Sequence, residues 1–594
     1  MKNYKIQIIT LVVAVLINYS CNDSFLDRVP LDEISSESFW NTENDLLVYN
    51  NRIYDLLTND NNVPIAMGFD NGFDSHRFGI WHLSGFSDDT APRHNRHTRF
   101  QEVRAGKHTV PTSPEWFGYS GWNFLRTINI GLDNYDRANI SQSIIDKYAG
   151  EARLLRGWFY ADKINKFGTI TWADSEINID DDEILYGPRD SRDFVMDKVM
   201  EDLNFAVDNL PSDWGDGNEP GRFNKWAALA VKSRVALFEG TWRKYHGLGD
   251  ETKWLQASAD AALELMQNGP YKIFDNNNPD NAYNYMHRQE DLSPIEEIIY
   301  YRRYEIGILQ NNMQRYHRLY NGGATKSLVE DYLCTDGLPI TLSPLYQGDE
   351  VYENIFVNRD PRLRQTVLHP EDQPIYNYGD HAFGVNSYPR VQGMPGETSY
   401  TGYHIIKTFY APAAYAPFNT SMTPAITLRL SEALLNYTEA KAELGTLTQA
   451  DLDMTINVLR DRVDMPHLTL GSIPMDPRYA DEGISSLLVE IRRERRLELF
   501  MEGFRYDDLR RWKQGKKLEN KDYGMRWDDA NKSRIDPRGR VTVNTGLVDG
   551  IPYLEIYKGT DYENPVFDES KHYLWPLPLD ELSLNPALEQ NPGW

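Results

Sequence analysis

The sequence predicts an all-α-dominated body of paired helices, TPR-like in hairpin size, with a loop-rich subdomain set among them. Three observations lead there. Apolar residues recur at spacings of three and four through much of the chain, alanines recur on the faces so defined, and long stretches rich in Gly, Pro, Asn and Tyr separate the periodic segments. At 594 residues the chain has ample length to bury a core. It holds only two cysteines, Cys21 and Cys334, so packing rather than a disulfide framework must stabilise it.

In chain order the first element is an export segment. Lys2 and Lys5 precede the apolar run Ile6 to Ile17, and Asn18-Tyr19-Ser20 leads to Cys21. As a helix that run reaches about 18 Å, short of a bilayer core of about 30 Å. Residues 1–20 therefore read as a cleaved lipoprotein signal peptide with Cys21 as the acylated residue; the alternative is an ordinary secretory signal with an incidental cysteine. Residues 21–37 are polar, mixed in charge and suited to a lipidated tether. Residues 38–594 form a single body.

Helical periodicity covers Tyr148 to Phe167, Phe194 to Leu210, Lys225 to Gly240, Lys253 to Met266, Thr427 to Leu444, Asp451 to Val463 and Ile484 to Trp512. Ala227, Ala228, Ala230 and Ala236 on one helix, and Ala257, Ala259, Ala261 and Ala262 on another, allow close helix approach. No strict repeat of about 34 residues is present. The long intervening segments are 60–120, 270–325, 345–425 and 515–575. Loops of that length carry function or pack as a second layer.

Charge excludes some partners. Net charge is −26, and becomes −28 once residues 1–20 go, because Lys2 and Lys5 leave and no acid does. Such a surface repels nucleic acid and anionic headgroups, so any membrane attachment comes from the lipid. The aromatic complement of 36 Tyr, 14 Trp and 23 Phe suits a core and also wet recognition surfaces such as sugar platforms.

The segment Ile491 to Trp512, IRRERRLELFMEGFRYDDLRRW, sets Glu494, Arg495, Glu498, Glu502, Arg505, Asp508 and Arg511 near the helical repeat beside Leu497, Phe500, Phe504 and Leu509, so ion pairs can flank a buried stripe. It also resembles the C-terminal signature of the SusD/RagB family, the outer-membrane nutrient-binding lipoproteins of Bacteroidetes. Six further pieces are similar to that family in the same order: GEARLLRGWFYADKINKFG from Gly150, GRFNKWAALAVKSRVALFEG from Gly221, TKSLVEDYLCTDGLPI from Thr325, NRDPRL from Asn358, LRLSEALLNYTEAKAELG from Leu428, and HYLWPLPLDELSLNPALEQNPGW from His572. The resemblance implies TPR-like hairpins with an irregular ligand-binding subdomain, at the outer face of the cell. It further implies a TonB-dependent, SusC-like transporter as partner, an oligosaccharide or other nutrient as ligand, and no covalent chemistry or cofactor.

Ligand residues are sought in the long loops, since a sugar ring needs a flat aromatic surface with carboxylate, amide or guanidinium groups at its rim. Gly79 to Tyr119 holds Trp81, His82, Asp88, Asp89, Arg93, His94, Trp116, Phe117 and Tyr119. Tyr300 to Tyr320 adds Tyr301, Arg302, Tyr304, Arg315 and Tyr316, and Tyr388 to Tyr415 adds Arg390, Tyr400, Tyr403 and Tyr415. The expected contacts are Trp81, Asp88, Asp89, Arg93, Trp116, Tyr119, Tyr301, Tyr304, Arg390 and Tyr403. Core packing is the alternative for each aromatic, and a buried strand or helix face for Tyr300, Tyr301 and Tyr304.

Arg93, Arg96, Arg99, Arg104 and Lys107 form a basic island that would suit an acidic glycan, or would pair with the protein's own acids or with the transporter. Asp174 to Glu183 has carboxylates enough for Ca²⁺ but lacks the glycine and terminal Glu of an EF-hand loop, and reads as a solvated run. His94 and His97 lie among arginines that oppose a cation, so no metal is assigned. The rival functions are a secreted glycoside hydrolase, which needs two opposed carboxylates that nothing here places, and a protein-binding scaffold without a glycan ligand. No GxSxG elbow, HExxH motif or Walker loop occurs.

Overall fold

The computed structural model describes residues 39–57, 65–69, 79–92, 98–114, 118–215, 221–319, 322–372, 388–394, 399–410, 415, 417–539 and 541–594. The signal segment, Cys21 and the tether lie outside these residues. Helices α1 (Glu43–Leu57), α2 (Trp122–Asn134), α3 (Gln142–Phe167), α4 (Arg192–Asn209), α5 (Lys225–His246) and α6 (Glu251–Asn268) build the first half. Helices α7 (Met313–Leu319), α8 (Lys326–Asp331), α9 (Leu430–Glu443), α10 (Ser486–Glu498) and α11 (Arg505–Arg511) belong to the second.

Helical hairpins form the body, as expected. α3 lies against α4 and α5 against α6, while α1 and α2 cover α3, and α9 packs on α6 and α10. Their starts follow from local chemistry: Ser191 accepts the Phe194 N–H at the head of α4, and Asn224 accepts the Ala227 N–H at 2.9 Å at the head of α5. The small-residue faces do what their spacing implies. Ala227, Ala228, Ala230 and Ala236 are buried, and at Gly240 a Cβ would come within 2.8 Å of Leu255 Cγ, so α5 and α6 approach closely only because no side chain is there.

Three helix expectations change. The segment beginning at Thr427 first runs as strand β2 (Ala425–Arg429), antiparallel to β1 (Ile298–Arg302), and becomes helical only at Leu430. Ile426 and Thr427 face a partner strand of Ile298, Ile299, Tyr300 and Tyr301, residues that fit a pleated surface, and pairing overrides the helical period. The helix expected over Asp451 to Val463 is two short ones, broken where Thr455 turns its hydroxyl onto Asp451 O at 2.5 Å. The segment Ile484 to Trp512 breaks between α10 and α11, where Met501 and Gly503 take φ of 62° and 87°. A three-stranded antiparallel sheet, order β3 (Tyr523–Arg526), β5 (Ile551–Glu555), β4 (Thr545–Val548), occupies the last long segment. Its hairpin turns at Asp549-Gly550, both with positive φ, which is the Asp-Gly chemistry of a tight hairpin turn.

Two main cores result. One fills the helical hairpins; the other is built from the long segments, with Trp81, Met313, Tyr316, Leu328, Tyr352, Tyr400, Tyr403 and Trp527 among its members. Between them runs a seam of buried charge. Glu498 receives Arg362, Arg429 and Arg462 at 3.1, 2.7 and 2.6 Å, and Arg429 also reaches Glu297 and Glu502, both at 2.8 Å. Burial alone would raise the Glu498 pKa, but the three guanidinium groups outweigh it and hold the carboxyl well below its ordinary range. The signature charges thus form the seam itself, not the exposed flank of a helix.

Candidate functional site

The three loop segments chosen from the sequence converge on one side of the second core. Thr90 bridges Ala324, Thr325 binds Asp89 O through its N–H at 2.9 Å and Asp88 O through its hydroxyl at 2.6 Å, and Ala324 N donates to Tyr403 O at 3.0 Å. His317 on α7 joins all three: its Nδ1 meets Ile405 O at 2.9 Å, its Nε2 meets Thr408 Oγ1 at 2.6 Å, and its ring packs edge-on to Trp81 with centroids 4.9 Å apart. Gly323 permits this crossing, since a Cβ there would fall 2.0 Å from Thr401 Oγ1.

Most of the expected ligand residues are turned inward, which corrects the picture of an exposed platform. Trp81, Tyr301, Tyr304 and Tyr403 are 2 to 4% exposed, and Tyr119 is 5% exposed with its ring edge-on to Phe167. Tyr301 lies on β1, so the strand alternative holds. Tyr304 is clamped by its hydroxyl, which donates to Phe69 O at 3.0 Å and accepts from Phe69 N at 2.7 Å. Asp88 is gripped by Arg505 through Nε and Nη2 at 2.8 and 2.9 Å, and Asp89 by Arg496 at 2.7 Å. Burial works to raise both carboxyls, yet Arg496 and Arg505 carry Asp88 below its usual range, while Asp89, beside the Asp88 charge, stays raised. The physical reasons differ: a flat ring gains by burial in a loop that packs as a second layer, whereas a carboxylate is buried at a cost that its guanidinium partners offset. Arg390 is half-buried, and Arg93 and Trp116 lie outside the described residues.

The basic island also changes. Arg99 is buried, and Arg104 points inward onto Asp522 at 2.7 Å and the Leu518 carbonyl, leaving Lys107 exposed among its described members. Most of the acidic run from Asp174 lies at the surface. Among the described residues no group of three or more His, Cys, Asp or Glu is arranged to hold a metal ion.

Beside these lies a group of which the sequence singled out Tyr415, itself 5% exposed, but not Tyr410, Glu290 or Phe418. Tyr410 and Tyr415 both donate their hydroxyls to Glu290 Oε1, at 3.1 and 2.7 Å, with rings edge-on at 6.1 Å; Tyr410 is half-buried and Glu290 exposed. Tyr410 is positioned by Gln314 of α7, whose Oε1 accepts its N–H at 3.1 Å. Phe418 is 52% exposed and stands two residues from Thr420, whose carbonyl accepts from Gln310 Nε2 at 3.0 Å. Asn311 and Ser421 bridge alongside, which ties the turn carrying exposed Ile306 and Ile308 to the Phe418 segment. A half-buried ring beside an exposed carboxylate, with an exposed ring on a neighbouring segment, offers the kinds of group a sugar ring needs. The Tyr, Pro and Asn richness of 410–420 was the available signal; which ring faces outward was not. A separate cavity of about 120 Å³ lies between α3, α5 and α11, walled by Trp158, Phe238, Phe504, Asp162 and Asp507, and none of the expected ligand residues lines it.

Comparison with known proteins supplies the rest. Residues 298–594 match the family model described as "SusD family", and residues 89–237 match one described as "Starch-binding associating with outer membrane". A SusD-like protein of Bacteroides ovatus is 22% identical, covering 99% of this chain and 98% of its own. Among solved structures, a SusD-like protein of Bacteroides fragilis superposes with a TM-score of 0.69 at 24% identity, over 96% of this chain and 100% of that one. A SusD-like carbohydrate binding protein of the same organism gives 0.70 at 21%, over 93% and 100%. A laminarin binding SusD-like protein gives 0.56 at 18%, again over 93% and 100%.

Proposed function

The chain belongs to the SusD family, and on that premise we propose that it is a lipid-anchored receptor at the outer face of the outer membrane that binds an oligosaccharide without cleaving it and passes it to a TonB-dependent, SusC-like transporter. The family descriptions and the carbohydrate-binding relatives support the ligand class. The single observation that carries the site is exposed Phe418, three residues from Ser421, together with exposed Glu290 bonded to half-buried Tyr410, both segments being held by Gln314 of α7. A ligand read by ring faces and hydroxyl contacts fits it. The acidic-glycan option loses support with Arg104 committed to Asp522.

Two facts favour binding over catalysis. Glycoside hydrolysis needs two carboxylates about 5 to 10 Å apart that flank the sugar, one of them able to give a proton. Asp88 and Asp89, the acids the sequence offered, are buried and consumed by arginines. Glu290 is the exposed carboxylate of the group, and alone it makes no such pair.

The test is a glycan array followed by calorimetry. Phe418→Ala and Tyr410→Ala are each expected to weaken the bound oligosaccharide about tenfold, roughly 1.4 kcal/mol, with thermal stability nearly unchanged. Wild-type affinity in both variants would remove this face from the proposal. A shortened oligosaccharide after incubation would replace the receptor with an enzyme, and silence across the array would leave the protein-binding scaffold.

A further inference from the structure

Against the signature helices lies a smaller cavity of about 20 Å³, and its walls are basic: Arg492, Arg493 and Arg496 from α10, Arg505 from α11, and Lys517, with Asp331 and Glu482 as the acids. A guanidinium carries five N–H donors and no acceptor. Arg493 and Arg496 have a partner at every nitrogen, supplied by Glu490, Asp331, Asp476, Asp89 and Asp88.

Arg492 does not. It is 5% exposed, it reaches Tyr245 Oη at 2.6 Å and Glu443 at 3.2 Å through Nη2 alone, and its buried Nε and Nη1 have no acceptor. Glu443 is itself shared with Lys244 and Tyr245. Arg505 spends Nε and Nη2 on Asp88 and leaves Nη1 over, while Lys517 makes one ion pair, with Glu482 at 2.6 Å. Burial first, then the Arg505 charge, lower the Lys517 pKa against the opposing Glu482 and Asp88. Of the three, only Arg492 has nitrogens both buried and unmet, and leaving charged donors so costs more than leaving neutral ones.

The geometry points to a halide-sized anion site in this cavity, with Arg492, Arg505 and Lys517 as its donors and chloride as its physiological occupant. A volume of about 20 Å³ exceeds the ~10–15 Å³ one water-sized body needs, which suits a monatomic anion. A monatomic anion accepts from several donors at once and brings no protons of its own. The site is independent of the glycan reading: it lies on the signature helices and shares no residue with the Phe418 face.

Bromide replaces chloride in the test. Crystals of the full chain soaked in sodium bromide are expected to show an anomalous peak between Arg492, Arg505 and Lys517. In solution the melting temperature should rise roughly 1 °C for each tenfold step in chloride above the dissociation constant, and not in gluconate of equal ionic strength. Lys517→Met should flatten that dependence, as should Arg492→Met if it folds. An ordered water without anomalous signal, or equal melting temperatures in chloride and gluconate, overturns the assignment.

Discussion

Asp88 and Asp89 show how far a residue's chemistry underdetermines its use. Adjacent acids among Trp81, Trp116 and Tyr119 read as the rim of a sugar site, and the same groups suit a buried ion cluster equally well. What separates the two is where Arg496 and Arg505 go, more than four hundred residues later in the chain. Removing one member of such a cluster leaves a charge buried and unpaired, which costs about 3–5 kcal/mol. Asp88→Asn, which keeps the shape and deletes the charge, is therefore expected to lower the urea midpoint strongly while glycan affinity per folded molecule stays at the wild-type value. A fall in affinity with stability intact would restore Asp88 to the ligand site.

At the scale of elements, breaks matter as much as helices. The turn between α10 and α11, with Gly503 at φ 87°, redirects the chain so that Glu502 meets Arg429 and Lys407 while Arg505 meets Asp88. An unbroken helix would spread these charges along one face. α7 works in the same way for the loop-rich side, through His317. Burial first, then the nearby His404 and Arg288, push its pKa down to about 3 against the opposing bond to Ile405 O. Its folded value lies below its unfolded value of about 6.5, so the unfolded chain takes up a proton that the native chain refuses. The contribution of His317 is intact above pH 6.5 and is lost as pH falls toward 3, at about 1.4 kcal/mol per unit. Urea midpoints taken from pH 6.5 to 4.5 should fall less steeply for His317→Gln, which can keep both hydrogen bonds; parallel slopes would contradict this.

On the scale of the whole molecule, two cores are bolted together by buried ion pairs, and the assembly is expected to hang from a lipid at Cys21. No helix among the described residues is long and apolar enough to cross a membrane; the anchor we propose is an acyl chain on Cys21. Cys21→Ser should move the protein from the membrane fraction to the soluble one and abolish palmitate labelling; membrane retention of the variant would refute the anchor. The sequence by itself determined the helical hairpins, the close approach of α5 and α6, and the family, because periodicity, caps, small residues and ordered motifs are local and survive in one dimension. It also located the segments that make the second layer. Only the tertiary structure decided that Thr427 runs in a strand, that the signature charges are internal, and that Phe418 reaches solvent while Trp81 and Tyr403 do not. Composition tells which side chains have both a flat apolar face and a polar edge; which of them reaches solvent depends on partners hundreds of residues away, and that information exists only once the chain has closed on itself.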